Sequence, residues 1–179
     1  RDQLTAGVFG ASVVGSAFIF AFQIPNLFRR LLGEGALTAA IVPVLADKSV
    51  KDGKPAALGF LNFVLRKVFP WLLGLMMIGI GSALLWALVW PADAPAATLT
   101  AICMPYMPLI CVAALFTSAV NLCGRFGLAE IAAGVLNLCM IVALGLFGEN
   151  FATDDMGKAV WLCAGALLGG AFQLLIPLW

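Results

Sequence analysis

The sequence predicts an all-α fold, a polytopic bundle of transmembrane helices, and three observations support this class. Hydrophobic residues make up 63% of the 179 residues and charged residues 11%, with a mean hydropathy of +1.08. A soluble domain is nearer half apolar and a quarter charged. Several apolar runs reach the ~20 residues that a helix needs to cross a bilayer. The alternation of apolar and polar residues that marks a half-buried strand appears nowhere in the sequence.

Charge and motif content argue against several other classes. The net charge of +1 says little about partners, and no basic run with interleaved aromatics suggests a nucleic-acid reader. The sequence has no histidine, no Gly-rich phosphate loop followed by Lys, and no paired carboxylates within an apolar segment. We therefore expect no enzyme activity and no cofactor.

The cysteines also fit a membrane bundle. All of them lie within or at the ends of apolar segments, and none forms a CxxC pair. Free cysteines of this kind are usually small packed side chains, and the spacing that a metal site needs is missing. They are Cys103, Cys111, Cys123, Cys139 and Cys163.

Six helical segments are predicted from the apolar runs and the breaks between them. They are a partial helix at 1–11 and helices at about 13–46, 56–90, 97–122, 128–147 and 159–179. The 13–46 segment is too long for one straight span, so bends are expected at Pro25 and at the Gly33/Gly35 pair. The chain opens without Met and stops within an apolar run, so both ends are expected to be cut from a longer protein.

Loop charges predict an orientation in the membrane. The regions 47–67 and 123–127 are basic, whereas 91–96 has no basic residue and 149–158 is mainly acidic. The positive-inside rule therefore puts the first two on the cytoplasmic side and the other two outside. The two small-residue motifs at 79–83 and 165–169 are expected to let helices pack closely within the bundle rather than to form a dimer.

A polar stripe interrupts the apolar run from Phe22 to Leu45, FQIPNLFRRLLGEGALTAAIVPVL. At 100° per residue, four polar residues fall on one helix face, with Arg29 at its border and Thr38 extending it. The four are Gln23, Asn26, Arg30 and Glu34. Ionisable groups at bilayer depth are costly, so they are kept where they face a partner or a wet cavity.

Two interpretations of this stripe remain open. In the structural one, Arg30 pairs with Glu34 one turn away and Arg29 reaches a neighbouring carbonyl or the interface. In the functional one, the guanidinium groups line a cavity and bind an anion, because the planar, permanently charged fork suits phosphate. Arg before Glu is the weaker order for an i, i+4 ion pair. Such a pair would also leave the charge of Arg29 unaccounted for. Both points favour the cavity interpretation.

Other polar residues are candidates to support such a cavity. Arg1 and Asp2, at the start of the partial first helix, either neutralise each other or add a third cation whose rotamer Asp2 fixes. Asn121 and Asn137 flank the basic turn at 123–127, where they could face the cavity or bond across helices.

Several motifs of the sequence are similar to those of the MurJ-type (MviN) lipid II flippases. They are Arg1-Asp2, Phe9-Gly10, FQIPNLFRRLLGEGA at 22–36, VPVL at 42–45, NLCGRF at 121–126 and Leu136-Asn137. The resemblance is strongest over residues 1–45. The chain departs from the family pattern at Ser16, where many members carry an acidic residue, and at Gln23, where the family has Lys.

The resemblance implies a fold and a function. The fold would be the N-terminal lobe portion of a fourteen-helix transporter of the multidrug/oligosaccharidyl-lipid/polysaccharide exporter superfamily. Such proteins move the lipid-linked peptidoglycan precursor across the bacterial inner membrane by alternating access, in cell-wall biogenesis. The cavity arginines of the family correspond to Arg1 and Arg29, with Asp2 beside the former, and would hold the substrate diphosphate.

The leading hypothesis is therefore a lipid II flippase. We expect Arg1, Asn26, Arg29 and Arg30 to contact the diphosphate. The expected supporting residues are Asp2, Ser16, Gln23, Glu34, Asn121 and Asn137. The expected partners are a polyprenyl diphosphate lipid and membrane lipids, and a coupling ion is a further partner that such transport can use.

Two alternatives stay open from the sequence. One is another exporter of the same superfamily, either for cationic drugs or for a different lipid-linked oligosaccharide. The other is a membrane scaffold subunit that transports nothing and buries its polar stripe against other helices.

Overall fold

The computed structural model describes residues 2–10, 12–33, 36–122 and 127–176. Within these ranges the chain is helical apart from short turns and contains no strand, which confirms the all-α prediction. Nine α-helices are described: α1 Asp2–Phe9, α2 Val13–Phe28, α3 Ala36–Lys51, α4 Lys54–Val89, α5 Ala94–Cys103, α6 Tyr106–Leu122, α7 Leu128–Val142, α8 Glu149–Phe151 and α9 Asp155–Leu175. Two π-helices, π1 Arg29–Gly33 and π2 Ala143–Gly148, follow α2 and α7, and a 3₁₀ turn, Pro91–Asp93, precedes α5.

The bundle is built from membrane-spanning helices. Among the described residues, four helical segments are long and apolar enough to cross a bilayer. They are Lys54–Val89, Pro91–Asn121, Ile131–Phe151 and Asp155–Leu175. The chain is therefore a multi-pass membrane protein, as its composition predicts.

Polar residues at two expected loops belong to helices instead. The loop expected over 47–55 is reduced to Asp52-Gly53, because α3 continues to Lys51. Lys51 Nζ lies 2.9 Å from a carboxylate oxygen of Asp47, an i, i+4 pair in the favourable order. Gly53 completes the connection to α4 with φ +83°, a backbone angle that glycine adopts without steric strain. Similarly, α9 starts at Asp155 rather than 159, since an acidic residue suits the first helical turn.

The apolar segments predicted as single helices at 13–46 and 97–122 are each divided. The first becomes α2, π1 and α3, with Pro25 inside α2. The second becomes α5 and α6, which meet at Met104 and Pro105. Pro105 lacks a backbone N–H and its ring clashes with the preceding turn, which explains the second interruption. The first begins at π1, after α2 has continued through Pro25.

Close packing of small residues holds the last helices together. A Cβ added at Gly165 would lie 2.6 Å from Ala143 Cβ, and one at Gly169 would lie 2.9 Å from Leu136 Cα. A Cβ at Gly79 would likewise meet Met104 Sδ at 2.7 Å. Both small-residue motifs therefore pack within the bundle, as predicted. The main buried cluster joins α2, α5, α7, π2 and α9.

Candidate functional site

A polar cavity of about 320 Å³ lies within the bundle, among π1, α3, α6, α7 and α9. We call it the Arg29 cavity. Alanines on α6 and α7 leave room for it, because Ala113, Ala114, Ala132 and Ala133 form much of the wall. The polar side chains that line it are Arg29, Thr38, Thr117, Ser118, Asn121 and Gln173.

The two neighbouring arginines lie in different surroundings. Arg29 is half-buried on the cavity wall, whereas Arg30 is exposed and is not among the described residues that line it. Successive helical residues are rotated by about 100°, so one of two adjacent side chains can face the cavity while the other faces away. The predicted contact of Arg30 with a diphosphate stays a prediction.

Asn26 holds the Arg29 side chain. Arg29 Nε donates a hydrogen bond to Asn26 Oδ1 at 3.0 Å, and both residues are half-buried. A hydrogen bond from a charged donor is stronger than one between neutral groups. It also restricts the plane of the guanidinium, because Nε is part of that planar group.

A second cavity, of about 420 Å³, runs along α1 and α2. We call it the α1–α2 groove. Of the predicted supporting residues, Ser16 and Gln23 line it together with Asn26. Asn26 therefore borders the groove while its side chain bonds Arg29 of the Arg29 cavity. The Asn26–Arg29 hydrogen bond thus links a residue of the groove to a residue of the Arg29 cavity.

The remaining predicted site residues fall into two groups. Asn121 lines the Arg29 cavity, but Asn137 is exposed on α7 and lies outside the described lining of both spaces. Arg1 and Glu34 lie outside the described residues, as does the side chain of Asp2. The predicted contacts Arg30–Glu34 and Arg1–Asp2 therefore also lie outside the described residues.

Gln173 is one of three polar lining residues that the sequence reasoning missed. It is 4% exposed, and its Nε2 donates to the carbonyl oxygen of Ala132 at 2.9 Å, which ties α9 to α7. The signal was present in the sequence, since an amide inside the last apolar run is a costly choice in a membrane helix. Thr117 and Ser118 on α6 were missed for the opposite reason, because single hydroxyls are common in such helices.

Comparison with known proteins identifies the family of this chain. Residues 5–179 match the family model described as lipid II flippase MurJ. The chain belongs to the MurJ lipid II flippase family. It is 32% identical to the probable lipid II flippase MurJ of Vibrio cholerae, over 99% of this chain and 36% of that protein.

Two further members give the same picture. The chain is 32% identical to the lipid II flippase MurJ of Burkholderia cenocepacia, over 99% of this chain and 35% of that protein. It is 29% identical to the probable lipid II flippase MurJ of Haemophilus influenzae, over 97% of this chain and 37% of that protein. The chain thus spans about a third of the length of these curated relatives.

Proposed function

We propose that this chain is part of a flippase that moves lipid II, the lipid-linked peptidoglycan precursor, across the bacterial inner membrane by alternating access. The observation that carries the proposal is a guanidinium on the wall of a polar cavity inside a membrane-spanning bundle. Family membership and the names of the relatives support the choice of substrate. In this proposal the chain forms most of the N-terminal lobe of a fourteen-helix transporter.

Arg29 would hold the substrate diphosphate. A diphosphate cannot cross hydrocarbon alone, because burying an unpaired charge in a low-dielectric medium costs many kcal/mol. A fixed guanidinium offsets that cost and can bind two phosphate oxygens at once. The bond from Arg29 Nε to Asn26 orients the fork before the lipid arrives, which lowers the entropy lost on binding.

Other candidate residues join the proposal on weaker support. Arg1, with Asp2 beside it, is a second diphosphate contact on the resemblance alone. Arg30 would act at the edge of the site, since it is exposed, and Glu34 is a supporting residue on the sequence pattern alone. Ser16 and Gln23 would contact the lipid along the α1–α2 groove, which they line.

The charge of the cavity favours an anionic substrate over a cationic drug. Within the described ranges, the lining residues of the Arg29 cavity include one cationic side chain and no carboxylate. An exporter of cations needs intramembrane carboxylates to attract them. A coupling ion at this cavity is for the same reason not part of the proposal.

Complementation tests this function. The gene that encodes this chain is expressed in a bacterial strain whose own lipid II flippase can be depleted. We expect wild type to support growth, Arg29→Ala to fail, and Arg29→Lys to support it partly, because lysine keeps the charge but loses the fork. Arg66→Ala, on the exposed surface of α4, is the matched control and should behave as wild type.

The amount of each variant in the membrane fraction is measured in parallel. Normal growth with Arg29→Ala at wild-type abundance would contradict the proposed site. Failure of the wild type itself to support growth, at an abundance matching the native flippase, would contradict the proposed function.

A further inference from the structure

Two buried acceptors on the Arg29 cavity have no hydrogen-bond partner. Among the described residues, Asn121 Oδ1 and Gln173 Oε1 are the buried side-chain oxygens or nitrogens left unpaired. Both residues line the cavity. Gln173 is 4% exposed, and Asn121 is half-buried.

Exchanging the amide atoms of Gln173 does not remove the problem. Its Nε2 donates to the carbonyl oxygen of Ala132 at 2.9 Å. An exchange would put two acceptors face to face, so the Ala132 carbonyl fixes the assignment and leaves Oε1 free to accept. A buried acceptor without a partner destabilises a protein by about 1–3 kcal/mol, which a hydrogen-bond donor from a ligand would recover.

The chemistry of the cavity restricts which donor this is. A phosphate oxygen accepts rather than donates, so it suits Arg29 and not the two amide oxygens. A cation is disfavoured because the Arg29 guanidinium lines the same cavity. Neutral hydroxyl and amide N–H groups remain. The ligand therefore carries an anionic part for Arg29 and neutral donors beside it.

The cavity has room for such a ligand. Its volume of about 320 Å³ lies within the range for ligand sites, and it accommodates one sugar ring next to a phosphate.

We propose that Asn121 and Gln173 form a subsite for the first sugar after the diphosphate, an N-acetylated amino sugar, whose hydroxyl or acetamido N–H groups donate to Asn121 Oδ1 and Gln173 Oε1. The subsite rests on the proposed function and deepens it, since it separates recognition of the sugar from recognition of the diphosphate. Arg29 supplies affinity for the lipid, and the two amides distinguish a glycosylated lipid from a bare one.

The test compares two lipids on the full-length protein in nanodiscs. One is a polyprenyl diphosphate, and the other is the same lipid bearing one N-acetylhexosamine. The ratio of their dissociation constants is the sugar increment. We expect wild type to bind the glycosylated lipid more tightly. Gln173→Leu and Asn121→Leu should each reduce the increment about 2- to 10-fold, the size of one hydrogen bond, without changing Kd for the bare diphosphate.

Asn62→Leu is the matched control, because Asn62 is an exposed amide on α4 and should keep the full increment. Gln173→Leu also loses the hydrogen bond to the Ala132 carbonyl, so its thermal stability is measured. If Gln173→Leu does not fold, Asn121→Leu on α6 provides the test of the subsite.

The outcomes separate the two proposals. A wild type that binds the bare lipid without any sugar increment overturns the subsite alone, and so do variants that keep the increment or lose affinity for both lipids equally. A wild type that binds neither lipid overturns the proposed function together with the subsite.

Discussion

Arg29 and its neighbour Arg30 lie in different surroundings although they are adjacent in the sequence. Arg29 is half-buried at the cavity and bonded through Nε to Asn26, whereas Arg30 is exposed. Successive helical residues are rotated by about 100°, which is enough to place one side chain at the cavity and the next at the surface. In the proposed mechanism, the pre-oriented guanidinium binds the diphosphate, and its neighbour contributes only longer-range attraction, which salt screens.

Substitution of each arginine by glutamine measures this difference. Arg29→Gln should weaken binding of polyprenyl diphosphate to the full-length protein at least 10-fold, because a buried charge-assisted contact is worth about 1.5–3 kcal/mol. Arg30→Gln should weaken it less, by about 2-fold, in the range of an exposed charge. Titration in nanodiscs gives both constants. Equal losses, or a larger loss for Arg30→Gln, would contradict the assigned geometry.

Asn26 provides a second test at the same scale. Asn26→Leu removes the acceptor of the Arg29 Nε bond but keeps the charge, so the guanidinium is no longer held in one plane. We expect binding of polyprenyl diphosphate to fall about 2- to 10-fold, the contribution of one hydrogen bond. Asn62→Leu serves as control. A loss as large as that of Arg29→Ala would mean that Asn26 contacts the lipid itself rather than positioning Arg29.

The sequence located the site region but not each side chain in it. The run from Gln23 to Thr38 was predicted as polar and intramembrane, and Arg29 and Thr38 do line the cavity. Arg30 is exposed and is not among the described lining residues, so its contact with a diphosphate stays a prediction. Gln173 was missed although an amide in an apolar run is itself a signal, because its position 135 residues after Thr38 does not show that α9 brings it to α7.

At the scale of elements, glycine positions decide how closely α9 approaches α7 and π2. A Cβ at Gly165 would lie 2.6 Å from Ala143 Cβ and 2.9 Å from the carbonyl oxygen of Cys139. The second neighbour is backbone and cannot move without shifting a helix. This close approach also brings Gln173 to Ala132, so it shapes one wall of the Arg29 cavity.

Gly165→Ala should therefore destabilise the full-length protein by about 1–3 kcal/mol, as overpacking does. Gly134→Ala is the control, because a Cβ there has no neighbour within 4 Å and alanine has the higher helix propensity. Thermal unfolding in detergent should give a lower apparent Tm for the first variant and an unchanged or higher one for the second. The reverse order would show that α9 is not packed as described.

A pair of cysteines reports on another helix contact. Cys103 Sγ on α5 and Cys163 Sγ on α9 are 3.1 Å apart and buried. In full-length protein whose other cysteines are replaced by serine or alanine, molecular iodine should join them in a disulfide. Proteolysis between α5 and α9 should then leave a single band on a non-reducing gel. Replacing Cys103 by alanine should abolish the cross-link, and two bands from the oxidised pair would contradict the α5–α9 packing.

The helices themselves were predicted better than their ends. Within the described ranges, apolar runs coincide with the four long spanning segments, since ~20 apolar residues have few other uses. The ends were misjudged where polar residues continue a helix, as Asp47 and Lys51 do in α3. Whether a polar residue caps, continues or leaves a helix depends on local pairs and dipole interactions of a few tenths of a kcal/mol, which composition does not resolve.

At the scale of the whole molecule, the loop charges predict that the Arg29 cavity lies toward the cytoplasmic side of the membrane. Asn121 is in the last turn of α6, just before the basic sequence 123–127 that the positive-inside rule assigns to the cytoplasm. Gln173 is likewise near the end of α9 that runs toward that side. The cavity is therefore expected to receive lipid II from the cytoplasmic leaflet, where a precursor awaiting export would be found.

Cysteine labelling in oriented vesicles tests this placement. Ser118→Cys, on the cavity wall, in the full-length protein without native cysteines, should react with a membrane-impermeant thiol reagent. The reagent should act faster from the cytoplasmic side, and lipid II should slow the reaction by occupying the cavity. Ala92→Cys, exposed in the turn that precedes α5, should react only from the outside. If Ser118→Cys reacts from neither side, the polar stripe is buried against protein, as in a scaffold subunit. If Ala92→Cys reacts from the cytoplasm, the orientation is reversed, and a pocket near Asn121 would instead face the leaflet that receives the exported lipid.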